Sequence, residues 1–183
     1  MTESPDVPWA KNQDSRIKKP FLEPPSPAAI FLFEFLKSKG RSSGRLVDLG
    51  CGNGRNAIFF AKEGFEVHAV DRSEEVLMDM DLHGVMPHCH SVTEFWLFED
   101  ASFDIAMDFF CYNYQEDDRR EFYRSELMRV LKPDGIFLLC VPEEFQETAE
   151  KEFSEFKLLA KKDLEDSLDG KKVNAVALIY SKT

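Results

Sequence analysis

Asp48, Gly50, Gly52, Gly54 and Asp71 are the residues of this chain whose types and spacing could hold a ligand. They sit within residues 45–73, which read RLVDLGCGNGRNAIFFAKEGFEVHAVDRS. Three glycines in alternation let the backbone turn tightly and let a ligand lie directly against it. Asp71 follows Gly50 by 21 positions, where a βαβ unit places an acid that accepts hydrogen bonds from a ribose. Binding of a nucleoside-containing ligand is the chemistry expected. A dinucleotide fingerprint would need Gly or Ala where Arg55 stands, which counts against a nicotinamide oxidoreductase.

The spacing is instead G-x-G-x-G with an acid two residues before it. In that form Asp48 to Gly54 (DLGCGNG) resembles the glycine motif of class I S-adenosylmethionine-dependent methyltransferases. The extension GNGRNAIFFAKEGFEV, with Asn53, Arg55 and Asn56, is similar to the tellurite-resistance type of small-molecule methyltransferase. LMRVLKPDGIFLLCV, residues 127–141, is similar to the helix, turn and strand that follow the substrate loop in that family. The resemblance implies S-adenosylmethionine as cofactor. It also implies an α/β fold with a doubly wound, mostly parallel, seven-stranded Rossmann-like sheet in the order 3-2-1-4-5-7-6, its last strand antiparallel.

Roles follow from the same resemblance. Asp48 would help hold the methionine ammonium. Gly50, Cys51, Gly52, Asn53 and Gly54 would form the loop against the methionine and ribose. Asp71 would take both ribose hydroxyls, and Arg72 would flank the adenine. The position that reads the adenine amino group falls near Val92 and Thr93; the Val92 side chain cannot accept, so either Glu94 or a backbone carbonyl takes the role. Asp108 would lie near the cofactor's amino group. Residues 109–115 (FFCYNYQ) would face the transferable methyl, where Tyr112, Asn113 and Tyr114 could orient a substrate or make cation–π contact with the sulfonium. Packing beneath the next helix is the other reading of these aromatic residues.

Regular elements must carry these residues. Residues 45–49 form an apolar run broken by one carboxylate, suited to a buried parallel strand. A helix follows from Arg55, with Ala57, Phe60 and Ala61 on one face and Gly64 as its C-cap. Residues 66–71 alternate into a second strand. Ahead of this unit, Ser26-Pro27 starts a helix running to Ser38. After it, Ser73 caps a helix with Val76, Leu77 and Met80 inward, stopped by Gly84. Strands are expected at residues 87–92, 103–110 and 136–141, and a long helix runs from Glu116 to the turn at residues 132–135. A short acidic helix over about 143–152 precedes two final strands, 156–162 and 173–181, joined by a loop containing Asp169-Gly170. Strands alternating with helices predict a doubly wound sheet.

The organisation read here is an N-terminal extension, residues 1–25, followed by one domain, residues 26–183. The extension carries five prolines yet also Trp9, Phe21 and Leu22, which a purely solvated tail would not. Only a short acidic helix separates Val141 from Phe156, too little for an inserted cover, so the extension is a candidate lid. Net charge is −11, and an acidic surface repels phosphate backbones, which disfavours nucleic acid as substrate. The four cysteines lack metal-site or disulfide spacing, which suits a reducing, cytoplasmic setting; no targeting or membrane-spanning segment is seen. Among His83, His88, Cys89 and His90, His88 and His90 would share one face of a strand and Cys89 the other, so three cannot converge from it; recognisable zinc spacing is lacking, and no metal site is expected. These observations and the resemblance together point to in-line methyl transfer to a small-molecule acceptor. Methylation of a protein side chain, or a catalytically idle cofactor-binding subunit of a partner enzyme, are the alternatives.

Overall fold

The computed structural model describes residues 23–168 and 171–183; the candidate lid, up to residue 22, lies outside them. Helix α1 (Pro27–Ser38) starts where Ser26 Oγ accepts from Ala29 N at 3.1 Å, with Pro27 supplying a preset φ in the first turn. Strand β1 (Arg45–Leu49), helix α2 (Arg55–Lys62) and strand β2 (Glu66–Asp71) form the βαβ unit. Then come α3 (Glu74–Leu77), β3 (Val85–Cys89), β4 (Phe103–Phe109), α4 (Asp117–Val130), β5 (Leu131–Pro142), α5 (Gln146–Glu152), β6 (Lys157–Leu168) and β7 (Lys171–Ser181). The seven strands order as β3-β2-β1-β4-β5-β7-β6. Strands β1 to β5 run parallel, and β7 is antiparallel to both neighbours.

Alternation along the central strands divides the core into two layers. Leu46, Val67, Ile105, Leu138 and Ile179 face Leu32 of α1 and Ala57 and Phe60 of α2. Val47, Leu49, Phe137, Leu139 and Val141 face Tyr123 and Leu127 of α4 and Phe153. Both faces are covered, which is why these strands read as continuous apolar runs. All the parallel strands deliver their carboxyl ends to one edge, and the glycine loop sits there.

Three stretches differ from expectation. The turn expected at residues 132–135 lies within β5, where Leu131 already pairs with Phe103 and Asp134 has φ 60° beside a register shift. The helix after Ser73 ends at Leu77, and only a 3₁₀ turn (Asp81–His83) follows it. Met80 explains the break: it is 1% exposed, and its methyl lies where a side chain on Gly54 would be. Reaching that place takes Asp79 into the left-handed region, φ 65°. The third strand accordingly begins at Val85, paired with Val67, and ends at Cys89 opposite Asp71, the last residue of β2.

The final strands are also longer than expected. β7 pairs with β5 only from Ala175, opposite Pro142, onward. Residues 171–174 pair with residues 165–168 of β6 alone. The β6–β7 hairpin therefore overhangs the carboxyl end of β5 by four residues, roughly 13 Å of strand. Its sequence, EDSL and KKVN, is mostly polar and has Val173 as its single β-branched residue, a weak strand signal.

Candidate active site

Gly50 N and Cys51 N both donate to Val70 O, at 2.8 and 3.0 Å, so the glycine loop leaves β1 tied to β2. Gly50 and Gly52 are both left-handed, φ 72° and 53°, but their surroundings differ. A Cβ on Gly50 would overlap the Sγ and Cβ of Cys111, whereas one on Gly52 would meet nothing within 4 Å. Gly50 is thus required by the protein's own packing, and Gly52 borders the open side. Asp71 spans the gap between strands: Oδ2 accepts from Gly52 N at 3.0 Å and Oδ1 from Ser73 N at 2.9 Å. Each carboxylate oxygen can accept more than once, so Asp71 can also take two hydroxyls.

Asp48 is 1% exposed, and neither of its oxygens has a hydrogen-bond partner. Burial, then the nearby Asp108 and Asp71 carboxylates, push its pKa well up; the Ala57 amide and the Arg55 charge oppose this. An unpaired buried carboxylate calls for a proton or a cation. Burial also raises the pKa of the Cys51 and Cys111 thiols, so neither is poised as a thiolate.

Asp108 is buried but satisfied. Its Oδ1 accepts from Cys111 N and Tyr112 N, and its Oδ2 from Tyr123 OH at 2.7 Å. Its carboxylate closes its own turn and, like that of Asp71, accepts through both oxygens. Burial raises its pKa to about 6, with those hydrogen bonds pulling the other way. The folded chain consequently holds this proton more tightly than the unfolded chain does. Its contribution to stability falls as pH rises from about 4 to about 7, by about 3 kcal/mol in all. Asp108→Asn keeps an acceptor for the two amides and a donor for Tyr123, and it removes the titration. Urea unfolding at pH 5 and 7.5 should show the wild type losing stability relative to this variant as pH rises.

Phe110, next in line, has φ 62°, a costly conformation for a bulky residue. Its N–H donates to Cys140 O at 2.9 Å. The bend turns the Cys111 and Tyr112 amides back onto Asp108 and lays Cys111 over Gly50. Tyr112 is consequently swung away from the edge, a correction to its reading as a substrate-facing group and the outcome its packing alternative describes. It is fully buried, it donates to Glu152 Oε2 at 2.7 Å and it accepts from Arg124 at 2.6 Å. Its ring stacks edge-on to Tyr123 and Phe153. Tyr114 packs against the α1/α2 layer instead, and Asn113 Oδ1 is buried without a partner.

At the other end of the loop, Val92 is in the core and its carbonyl accepts from the Trp96 indole at 3.0 Å. Thr93 Oγ1 lies 2.8 Å from Ser91 Oγ. Glu94 is exposed, 3.9 Å from His90, and Arg72 is exposed beside Asp71. The described residues contain no group of three or more His, Cys, Asp or Glu side chains that could hold a metal ion. His88 instead stacks on His68, with ring nitrogens 2.9 Å apart.

Three residues of the glycine extension do more than sequence reasoning assigned them. Asn53 Nδ2 donates to Glu23 at 3.1 Å, and Asn56 Oδ1 accepts from Ser26 N at 2.9 Å. Arg55 pairs with Asp166 of the hairpin at 3.0 Å. The signal was their polarity at a helix start that packs against the core; their partners, 30 and 111 positions away, had none.

Comparisons with known proteins agree with this geometry. Residues 46–135 match the family model "Methyltransferase domain", whose members use S-adenosylmethionine. Putative methyltransferase YqeM of Bacillus subtilis is 34% identical over 114 residues, which cover 56% of this chain and 44% of that protein. The match thus spans about half the length of the curated relative. Burkholderia thailandensis 1,6-didemethyltoxoflavin-N1-methyltransferase, solved with 1,6-didemethyltoxoflavin and S-adenosylhomocysteine, superposes with a TM-score of 0.73. It is 21% identical, over 97% of this chain and 81% of that one. TehB of Haemophilus influenzae superposes with a TM-score of 0.67 at 12% identity, over 85% and 61%. These two likenesses are likenesses of fold.

Proposed function

We propose that this chain transfers a methyl group to a small-molecule acceptor, a reading supported by the match of residues 46–135 to the family model "Methyltransferase domain" and by the strand order. The observation that carries the reading is Asp48, a buried carboxylate with no partner for either oxygen, beside a loop whose Gly52 opens onto free space. S-adenosylmethionine, when bound, supplies a methyl on a sulfonium already activated for displacement. Asp48 offers the counter-charge for an ammonium, and Asp71 accepts the two ribose hydroxyls. Gly52 permits backbone contact; Thr93 and Glu94 would be the polar side chains toward the adenine, and Arg72 would flank it.

Little further chemistry is asked of the chain. Its residues hold the acceptor in line with the methyl and exclude water. Asn113 and Tyr114 follow β4 at the edge where an acceptor would sit. Residues 109–115 contain no histidine, which favours an acceptor atom that needs no general base, such as sulfur, selenium or tellurium, or one already deprotonated. Residues 1–25 are proposed as the cover; Glu23, the first described residue, already touches the glycine loop through Asn53. No helix among the described residues is long and apolar enough to cross a membrane, and a cytoplasmic setting is proposed from the free cysteines.

The test is transfer of label from methyl-tritiated S-adenosylmethionine to thiols, selenite, tellurite and small amines, with unfolded and folded protein as competing acceptors. Label in a small molecule supports the reading. Label confined to protein would replace it with side-chain methylation.

A further inference from the structure

The β6–β7 overhang has no strand of the sheet beside it, since β5 ends at Pro142 opposite Ala175. What attaches it to the rest of the chain near its tip is Asp166. That side chain is 2% exposed, and its Oδ1 accepts from Arg55 NH2 at 3.0 Å and from Ser167 N at 2.7 Å. Arg55 is the first residue of α2, directly after the last glycine of the loop. One ion pair thus joins a hairpin that extends past its neighbouring strand to the segment that would hold the cofactor. Leu164 and Val173, on the same stretch of the hairpin, pack against the α1/α2 layer and keep it on that side.

Burying two charges gains little net stability, because desolvation offsets most of their attraction. Stability alone therefore gives a poor reason for this pair. It is also not a saturated network: Asp166 Oδ2 is buried without a partner. Nor is Arg55 the loop's sole tether, since Asn53 and Asn56 hold its other side to Glu23 and Ser26. The loop is strapped from two directions, and only the Arg55 strap reaches the hairpin, whose other attachment at this end is the packing of Leu164 and Val173.

We propose that Asp166 is a positioning residue acting through Arg55: the pair sets the glycine loop and the hairpin overhang as one unit, so that loop order and hairpin order rise and fall together. Resting on the methyltransferase reading, the proposal adds that this pair couples the cofactor site to the wall beside the acceptor. Coupling of this kind is reciprocal. Loosening the hairpin end must loosen the loop, and loosening the loop end must loosen the hairpin.

Hydrogen–deuterium exchange on the full chain, with and without S-adenosylhomocysteine, tests it together with calorimetric titration of that ligand. Asp166→Asn keeps the shape and one acceptor while removing the charge, and it should speed exchange of residues 50–56 as well as 164–173. It should also weaken S-adenosylhomocysteine by about tenfold, the loss of one charge-assisted bond. Arg55→Lys, altered at the other end, should speed exchange of the hairpin. Asp166→Asn added to Arg55→Lys should cost little more than either alone. Glu165→Gln, whose partner is the exposed Lys172, should change neither segment. Faster exchange confined to the mutated element, or additive losses of affinity, would overturn the proposal. Absence of ligand binding by the wild type would overturn the cofactor reading instead; exchange in the ligand-free protein would still decide the coupling.

Discussion

Replacing Asp71 with alanine should weaken binding of S-adenosylmethionine and S-adenosylhomocysteine by about 10- to 100-fold, from the loss of a charged acceptor worth about 1.5–3 kcal/mol. The effect has two sources. The ribose hydroxyls lose their acceptor, and Gly52 N and Ser73 N lose theirs, so the loop also loses its link to the end of β2. Asp71→Asn retains an acceptor for one amide and should fall between. Calorimetry reads the affinity, and a melting curve without ligand shows whether the fold survives. A dissociation constant within twofold of the wild type would remove Asp71 from the ligand site.

Gly50→Val should damage the fold before it damages binding. A non-glycine residue at φ 72° costs about 1–3 kcal/mol in backbone strain, and more for a branched one. The added carbons would also overlap Cys111, as Gly50 lies against its Sγ and Cβ; overpacking of this kind costs about 1–3 kcal/mol more. Cys111→Gly in the same chain should recover the overlap and leave the strain, which urea unfolding can separate. Gly52→Ala makes the contrast. Open space surrounds that position, so the variant should stay folded with only the strain penalty while the methyl group intrudes on the ligand side. Equal losses of stability at the two positions would show that Cys111 does not decide the requirement for Gly50.

Where the fold follows local chemistry, it was legible. Asp48, the glycine triplet and Asp71 mark the first βαβ unit without help from any distant residue, and the alternation of apolar runs places five parallel strands around it. Legibility stopped where a long-range contact overrides local preference. Met80 leaves its helix to fill the space beside Gly54, and no helical period announces that. The hairpin overhang is polar and forms because each strand has the other to pair with. Tyr112 and Asp108 looked like ligand-facing groups because both end or follow a strand at the correct edge. The left-handed turn at Phe110 sends one into the core and occupies the other, and a phenylalanine is not a residue that signals such a turn. Asn53, Arg55 and Asn56 were visible as a pattern, but their partners lie far along the chain.

The central claim is that the edge formed by Asp48, Gly52 and Asp71 holds S-adenosylmethionine rather than a dinucleotide. Titration of the purified wild-type chain with S-adenosylhomocysteine and, separately, with NAD tests it most directly. The account predicts saturable, one-to-one heat with S-adenosylhomocysteine, lost in Asp71→Ala, and none with NAD at the same concentrations. Heat with NAD and none with S-adenosylhomocysteine would contradict it.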